Sequence, residues 1–161
     1  VQPGNPKRIR SVSDLVRPDV RFVNRQIGSS TRFLVHLMLD RLGIDSKDVT
    51  GFDSGEFTHM AIAAHIASGM ADVGIGVETA AWRCGLEFIP LARERYFFGI
   101  NKELVGTQSL QRLLDLMNGD AYQAYVRDLV GYDCSLLGQV QTLEQAFGPD
   151  FRIAVSVKRP L

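Results

Sequence analysis

Apolar residues recur along this chain in short runs that switch between strand-like and helix-like spacing. Val20-Arg-Phe-Val-Asn-Arg25 reads as a buried strand, and Gln26-Ile-Gly-Ser-Ser30 breaks it. From Thr31 to Leu42 the residues Leu34, Leu37, Met38 and Leu42 keep helical spacing, and Gly43 follows as a C-cap. Asp45 to Asp48 is a polar loop and Val49 to Asp53 a short strand. Thr58 then caps an apolar helix from His59 to Ser68, closed by Gly69. Asp72 to Val77 is the next strand, Glu78 to Cys84 a short helix, and Leu86 to Leu91 and Arg95 to Ile100 read as further strands.

This alternation from residue 20 to residue 91 argues for an α/β layer structure with a largely parallel sheet. The tail has a different character. Ser109 to Met117 and Tyr122 to Val130 read as helices around a turn at Asn118-Gly119, and Phe151, Ile153, Val155 and Val157 alternate as in a final strand. Ahead of the pattern, Val1 to Arg10 reads as an extended lead-in, and Ser11 to Val16 as a helical turn stopped before Pro18. The expectation is one domain over residues 1–161, with an α/β lobe over 15–91 and a returning, partly helical segment over 92–161.

Length and composition narrow the field. The 161 residues suffice for one domain with a substantial core. Lys+Arg and Asp+Glu are equal at 18 each, so no global field favours nucleic acid or an anionic membrane, and any anion site must be built locally. Apolar runs are interrupted well short of a membrane span. Cys84 and Cys134 lack CxxC spacing; a disulfide is not required, and two reduced thiols fit a cytoplasmic setting. The chain opens on Val1, which reads as a fragment or a processed chain.

The chemistry concentrates in Asn24-Arg-Gln-Ile-Gly-Ser-Ser-Thr-Arg32. A strand ends there, a small-residue turn follows, and a helix begins whose first N–H groups have no internal partner and carry the positive end of the dipole. Gly28 permits close approach to the backbone. Ser29, Ser30 and Thr31 offer hydroxyls, and Arg25 and Arg32 offer bidentate, charge-assisted contacts. Together they suit a tetrahedral or carboxylate anion. The plainer alternative is that a serine merely caps the helix and the arginines are solvated; both readings stand on spacing alone. In favour of the first, ligands of open α/β sheets bind beyond the carboxyl ends of the strands, where this turn should lie. A second helix start at Thr58-His59 would face the same crevice, with simple capping by Thr58 as its alternative.

Enzymatic readings find little support. His36, His59 and His65 make no metal pattern, HExxH is missing, and the GxSxG, GxGxxG and GxxxxGK motifs are absent. Arg83 beside Cys84 would favour a thiolate, but a small buried hydrophobe is the commoner fate of such a cysteine. The expectation is a domain that is not an enzyme and carries neither cofactor nor metal.

A family resemblance sharpens this. Arg25-Gln-Ile-Gly-Ser-Ser-Thr-Arg32 resembles the Arg-x-x-x-Ser-Gly-Thr signature of phosphate- and tungstate-type periplasmic binding proteins. Ala67-Ser-Gly-Met-Ala-Asp-Val-Gly-Ile-Gly76 resembles the small-x-Gly-x-Ala-Asp-x-Gly segment of type 2 members. Asn5-Pro-Lys, Ser13-Asp-Leu, Phe22-Val-Asn-Arg-Gln26, Thr58-His59, Arg95-Tyr96 and Gly131-Tyr-Asp133 are similar to one branch of that family. That branch comprises the periplasmic-binding-protein-like domains found beside helix-turn-helix regulators and in molybdopterin-biosynthesis fusions. The resemblance covers about residues 3–138 and implies a type 2 lobe that senses a small oxyanion, of the molybdate or tungstate kind, in the cytoplasm. It implies that Arg25, Ser29, Ser30 and Thr31 hold the anion, with Ser30 standing where Gly is usual. A fused or associated DNA-binding domain would lie outside this chain, which itself contacts neither nucleic acid nor membrane. The family's upstream strands and helices are missing, so homodimerisation over the uncovered surface is left open. The rival functions are a solute-binding component of an anion importer and an accessory domain of a molybdenum-cofactor enzyme.

Overall fold

The computed structural model describes residues 1–149, which fall into two compact units. The first takes in Val1–Gly99 with Leu129–Tyr132, the second Ile100–Asp128 with residues 133–149. The expected strand around Phe151 to Val157 lies outside the described residues.

The first unit is built on β1 (Phe22–Arg25), which lies between β2 (Gly55–Glu56) and β3 (Val73–Gly74) in a three-stranded parallel sheet of order β2-β1-β3. Asn24 and Arg25 pair with Gly55 and Glu56, and Phe22 and Val23 pair with Val73 and Gly74. A central parallel strand is covered on both faces, which is why Phe22, Val23 and Asn24 are buried in succession without alternation. Successive side chains of β1 therefore enter different cores. Phe22 joins Val20, Val35, Leu39, Val49 and Phe52 on the side of α1 (Ser30–Arg41); Val23 joins Ile62, Ile66 and Ala71 on the side of α2 (His59–Ala67). A short α3 (Glu78–Arg83) completes the unit. This is the mixed α/β lobe, with a parallel sheet flanked by helices, that the pattern predicts.

Several local expectations shift. The buried stripe of α1 is Thr31, Arg32, Val35 and Leu39, whereas Leu37 and Leu42 are exposed. This helix carries apolar residues on more than one face, so spacing alone does not choose the face that packs. Val49 and Phe52 are buried, yet their segment turns instead of pairing: Phe52 N–H donates to Val49 O, Ser54 N–H to Gly51 O, and the ladder begins at Gly55. Leu86 to Leu91 and Arg95 to Ile100 form no strand, and Tyr96 and Phe98 are largely exposed. The lead-in is packed, not loose. Ile9 is 3% exposed, the Asn5 side chain closes a loop by bonding both backbone groups of Ile9, and the Val1 amino group donates to Glu87 O at 2.9 Å. Val12–Val16 forms a single 3-10 turn, as expected.

The second unit holds α4 (Gln108–Asn118), α5 (Asp120–Arg127) and α6 (Leu143–Phe147). Thr107 caps α4 through Leu110 N, and Thr142 with Gln145 forms a capping box on α6, a helix the periodicity did not announce. Among the described residues no helix is long and apolar enough to cross a membrane.

Two glycines set the tightest packing. A methyl group on Gly74 would lie 2.5 Å from Ile62 Cγ2, so this glycine lets α2 sit against β3. Gly51 has φ +89, and its missing Cβ would overlap the Phe22 carbonyl oxygen. Gly51→Ala is expected to cost at least about 2 kcal/mol, through strain and the displaced β1 carbonyl. Gly43→Ala, where φ is +67 but the Cβ meets open space, should cost only about 1 kcal/mol. Urea unfolding of the two variants reads the difference.

Candidate functional site

Beyond the carboxyl end of β1 the chain must turn to enter α1. Gln26 N–H still bonds Glu56 O at 3.0 Å, extending the ladder by one rung, and Ser29 N–H folds back to Gln26 O at 3.2 Å. Gly28 supplies the positive φ of +88 that closes this turn, and the space where its side chain would stand is open. Ser29 is the N-cap: its hydroxyl accepts from Arg32 N at 3.1 Å. Ser30, at the position where the family pattern has Gly, is simply the first residue of the helix and needs no positive φ. Among the described residues the amides of Gly28, Ser30 and Thr31 donate to nothing. The Thr31 side chain is buried.

The two arginines of the motif have different surroundings. Arg32 is 8% exposed: its guanidinium lies 4.9 Å over the Phe52 ring, donates to Arg25 O at 3.3 Å, and pairs with the fully exposed Asp53 at 3.1 Å. Arg25 turns across the sheet edge towards the β2–α2 connection. Its Nε donates to Gln26 Oε1 and Glu56 O, both at 3.1 Å; Nη2 donates to Phe57 O at 2.9 Å; Nη1 donates to His59 Nε2 at 2.9 Å. A guanidinium has five N–H groups, one on Nε and two on each Nη, so these contacts leave one on Nη1 and one on Nη2. Arg17, Arg21 and Arg32 each pair with an aspartate, whereas Arg25 makes no ion pair among the described residues. Its charge is solvated by neutral acceptors and not cancelled.

Thr58 caps α2 by accepting from Ala61 N at 3.0 Å, so its hydroxyl is engaged. His59 follows as the first residue of that helix. An arginine can only donate, so Nε2 must be the acceptor and the imidazole must carry its proton on Nδ1. That Nδ1 is buried and has no hydrogen-bond partner. Burial, and then the Arg25 charge, hold the His59 pKa below its ordinary value of 6.5, with Glu94 opposing, so the neutral form is favoured.

The structure thus brings Arg25, Thr58 and His59 together on the β2–α2 side. On the α1 side Gly28, Ser29, Ser30 and Arg32 line an open depression of about 500 Å³ with Ile27, Phe33 and His36. Reading the sequence did not single out Gln26, Phe57 and His36. Only Gln26 left a signal, as the neighbour of Arg25 inside the motif. Phe57 acts through a backbone carbonyl, which no side-chain pattern reveals.

Residues 1–118 match the family model described as the PBP superfamily domain. The chain belongs to the PBP superfamily. Within it, the chain is 39% identical over 140 residues to the uncharacterized protein YvgK of Bacillus subtilis (strain 168), a match covering 87% of this chain and 45% of that protein. It is 35% identical over 102 residues to an uncharacterized protein in the ferredoxin 2Fe-2S gene 5'region of Clostridium pasteurianum, covering 63% of this chain and 90% of that one. The chain therefore spans less than half the length of the Bacillus relative. No solved structure matches. PBP domains typically bind solutes without transforming them, and in this one the turn between β1 and α1 presents backbone N–H groups that have no partner among the described residues.

The asymmetry of the Arg32–Asp53 pair is testable. Arg32→Ala removes stacking on Phe52 and the bond to Arg25 O, and is expected to cost about 2 kcal/mol. Asp53→Asn, at a fully exposed carboxylate, should cost less than about 1 kcal/mol. Equal losses in chemical denaturation would mean that the ion pair, not the packing, holds Arg32.

Proposed function

We propose that this PBP domain captures a small oxyanion, of the molybdate or tungstate kind, at the turn between β1 and α1 and performs no chemistry on it. The observation that carries this reading is that Arg25 makes no ion pair among the described residues and keeps one N–H on each Nη, while the turn leaves the Gly28, Ser30 and Thr31 amides without a partner. An oxyanion brings several acceptor oxygens and no need for donors. The Ser30 and Thr31 amides point from the start of a helix, where dipole and N–H groups act together on an anion. Gly28 leaves the approach open.

In the longer protein the anion would bridge this lobe and its counterpart and bias an open–closed equilibrium. Placed in the cytoplasm beside a DNA-binding domain outside this chain, such a lobe makes the effector module of a transcriptional regulator, with homodimers as one arrangement for reading the change.

Calorimetric titration of the full-length protein with molybdate, tungstate, phosphate and sulfate tests the reading. Arg25→Ala is expected to weaken binding at least tenfold, about 1.4 kcal/mol, and Cys84→Ser to leave it unchanged. Ser30→Pro is the cleaner probe, because Pro suits the first turn of a helix and the lost N–H is one the fold does not use. It should weaken binding while the melting temperature holds. If none of the four anions binds or moves the melting temperature, the oxyanion reading fails.

A further inference from the structure

We propose that His59 is a positioning residue for Arg25: its neutral imidazole accepts from Nη1 and fixes the guanidinium, and protonation of that ring breaks the hold. The effect on a bound guest rests on the oxyanion reading above; the hold itself does not.

The geometry leaves the neutral ring one arrangement. Nη1 of Arg25 lies 2.9 Å from Nε2 of His59, and the guanidinium stays protonated at any ordinary pH. Only an imidazole with its Nε2 lone pair free satisfies that contact. An imidazolium would set two N–H donors and two positive charges against each other at the same distance. The guanidinium cannot drift easily, being bonded elsewhere to Gln26 Oε1, Glu56 O and Phe57 O. Nδ1, which carries the proton of the neutral ring, is buried with no acceptor, so a second proton can enter only at Nε2, against the Arg25 guanidinium.

The charges around α2 agree with this. β1 contributes Arg25; β3 contributes no titratable side chain; from β2, Glu56 is committed to His65 Nε2 at 3.2 Å. Glu78, at the head of α3, packs on Gly131. Glu94 is the group that favours the imidazolium, and burial together with Arg25 outweighs it. A histidine whose folded pKa is depressed binds fewer protons than the unfolded chain. Stability is therefore full above the ordinary value of 6.5 and declines as the pH falls from there through the folded value.

Two measurements on the full-length protein decide the matter. Nitrogen-15 NMR of the histidine ring at neutral pH should show the Nδ1–H tautomer for His59; an Nε2–H ring would overturn the proposal with no variant needed. The second compares the wild type with His59→Gln, whose amide oxygen offers an acceptor that cannot be protonated. The melting temperature should fall on acidification below about pH 6.5 in the wild type and fall less in His59→Gln. With sulfate or molybdate as probe, wild-type affinity should drop about tenfold between neutral and mildly acid pH, and His59→Gln should hold a constant affinity. Identical acid profiles for the two proteins would refute the role of His59. Absence of binding by either probe, with the tautomer and the stability difference intact, would sink the oxyanion reading and leave the hold on Arg25 supported.

Discussion

Arg25 is a permanent cation at the carboxyl end of the central strand, and the structure around it follows from that. A guanidinium cannot shed its proton, so each N–H turned towards the protein needs an acceptor. The acceptors come from the next connection in the chain: the carbonyls of Glu56 and Phe57 and the ring of His59. Those groups arrive only because β2 pairs alongside Asn24 and Arg25 for its two residues and then breaks into α2. Glu56 O, with two lone pairs, accepts both the last ladder bond from Gln26 N–H and the Arg25 Nε, and Phe57 O, past the end of the strand, accepts Nη2. The brevity of β2 is therefore what lets the second connection serve the first.

The same end of the sheet gathers two helix starts, and each spends its cap in the same way. Ser29 accepts from Arg32 N and Thr58 accepts from Ala61 N, so both side chains satisfy the third helical amide of their own helix. A cap of this kind does not reach the earlier amides. At α1 those belong to Ser30 and Thr31, next to a glycine turn with open space above it. Capping and anion binding are thus not competing readings of the serines. The first hydroxyl shapes the helix, and the donors left for a guest are backbone ones.

This bears on how much a sequence can disclose. The strand, the Gly-Ser-Ser-Thr turn and the α2 start were legible because each depends on local rules: a buried apolar run, a residue free to take positive φ, a hydroxyl ahead of a helix. The separate fates of Arg25 and Arg32 were not. They lie on either side of one turn, and what distinguishes them is a loop some twenty to thirty residues later that offers Phe52 and Asp53 to one and bare carbonyls to the other. The strand expected over Val49 to Asp53 failed for a related reason. Burial of Val49 and Phe52 looks strand-like in sequence, but Gly51 at φ +89 reverses the chain under the Phe22 carbonyl. Apolar spacing records burial, and burial does not require a ladder.

The chain is electrically neutral overall, so a negatively charged guest would find no general attraction, only whatever the fold leaves locally uncancelled. Arg21 is tied to Asp72 by contacts at 2.9 and 3.0 Å, Arg17 to Asp19, and Arg32 to Asp53. Each of those charges is met by an opposite one. At Arg25 the fold substitutes dipoles for a carboxylate, and dipoles hold a cation in place without neutralising it. A carboxylate in that position would anchor the guanidinium as firmly and would repel the guest. Holding Arg25 with carbonyls and a neutral imidazole is thus the arrangement that keeps it both fixed and available.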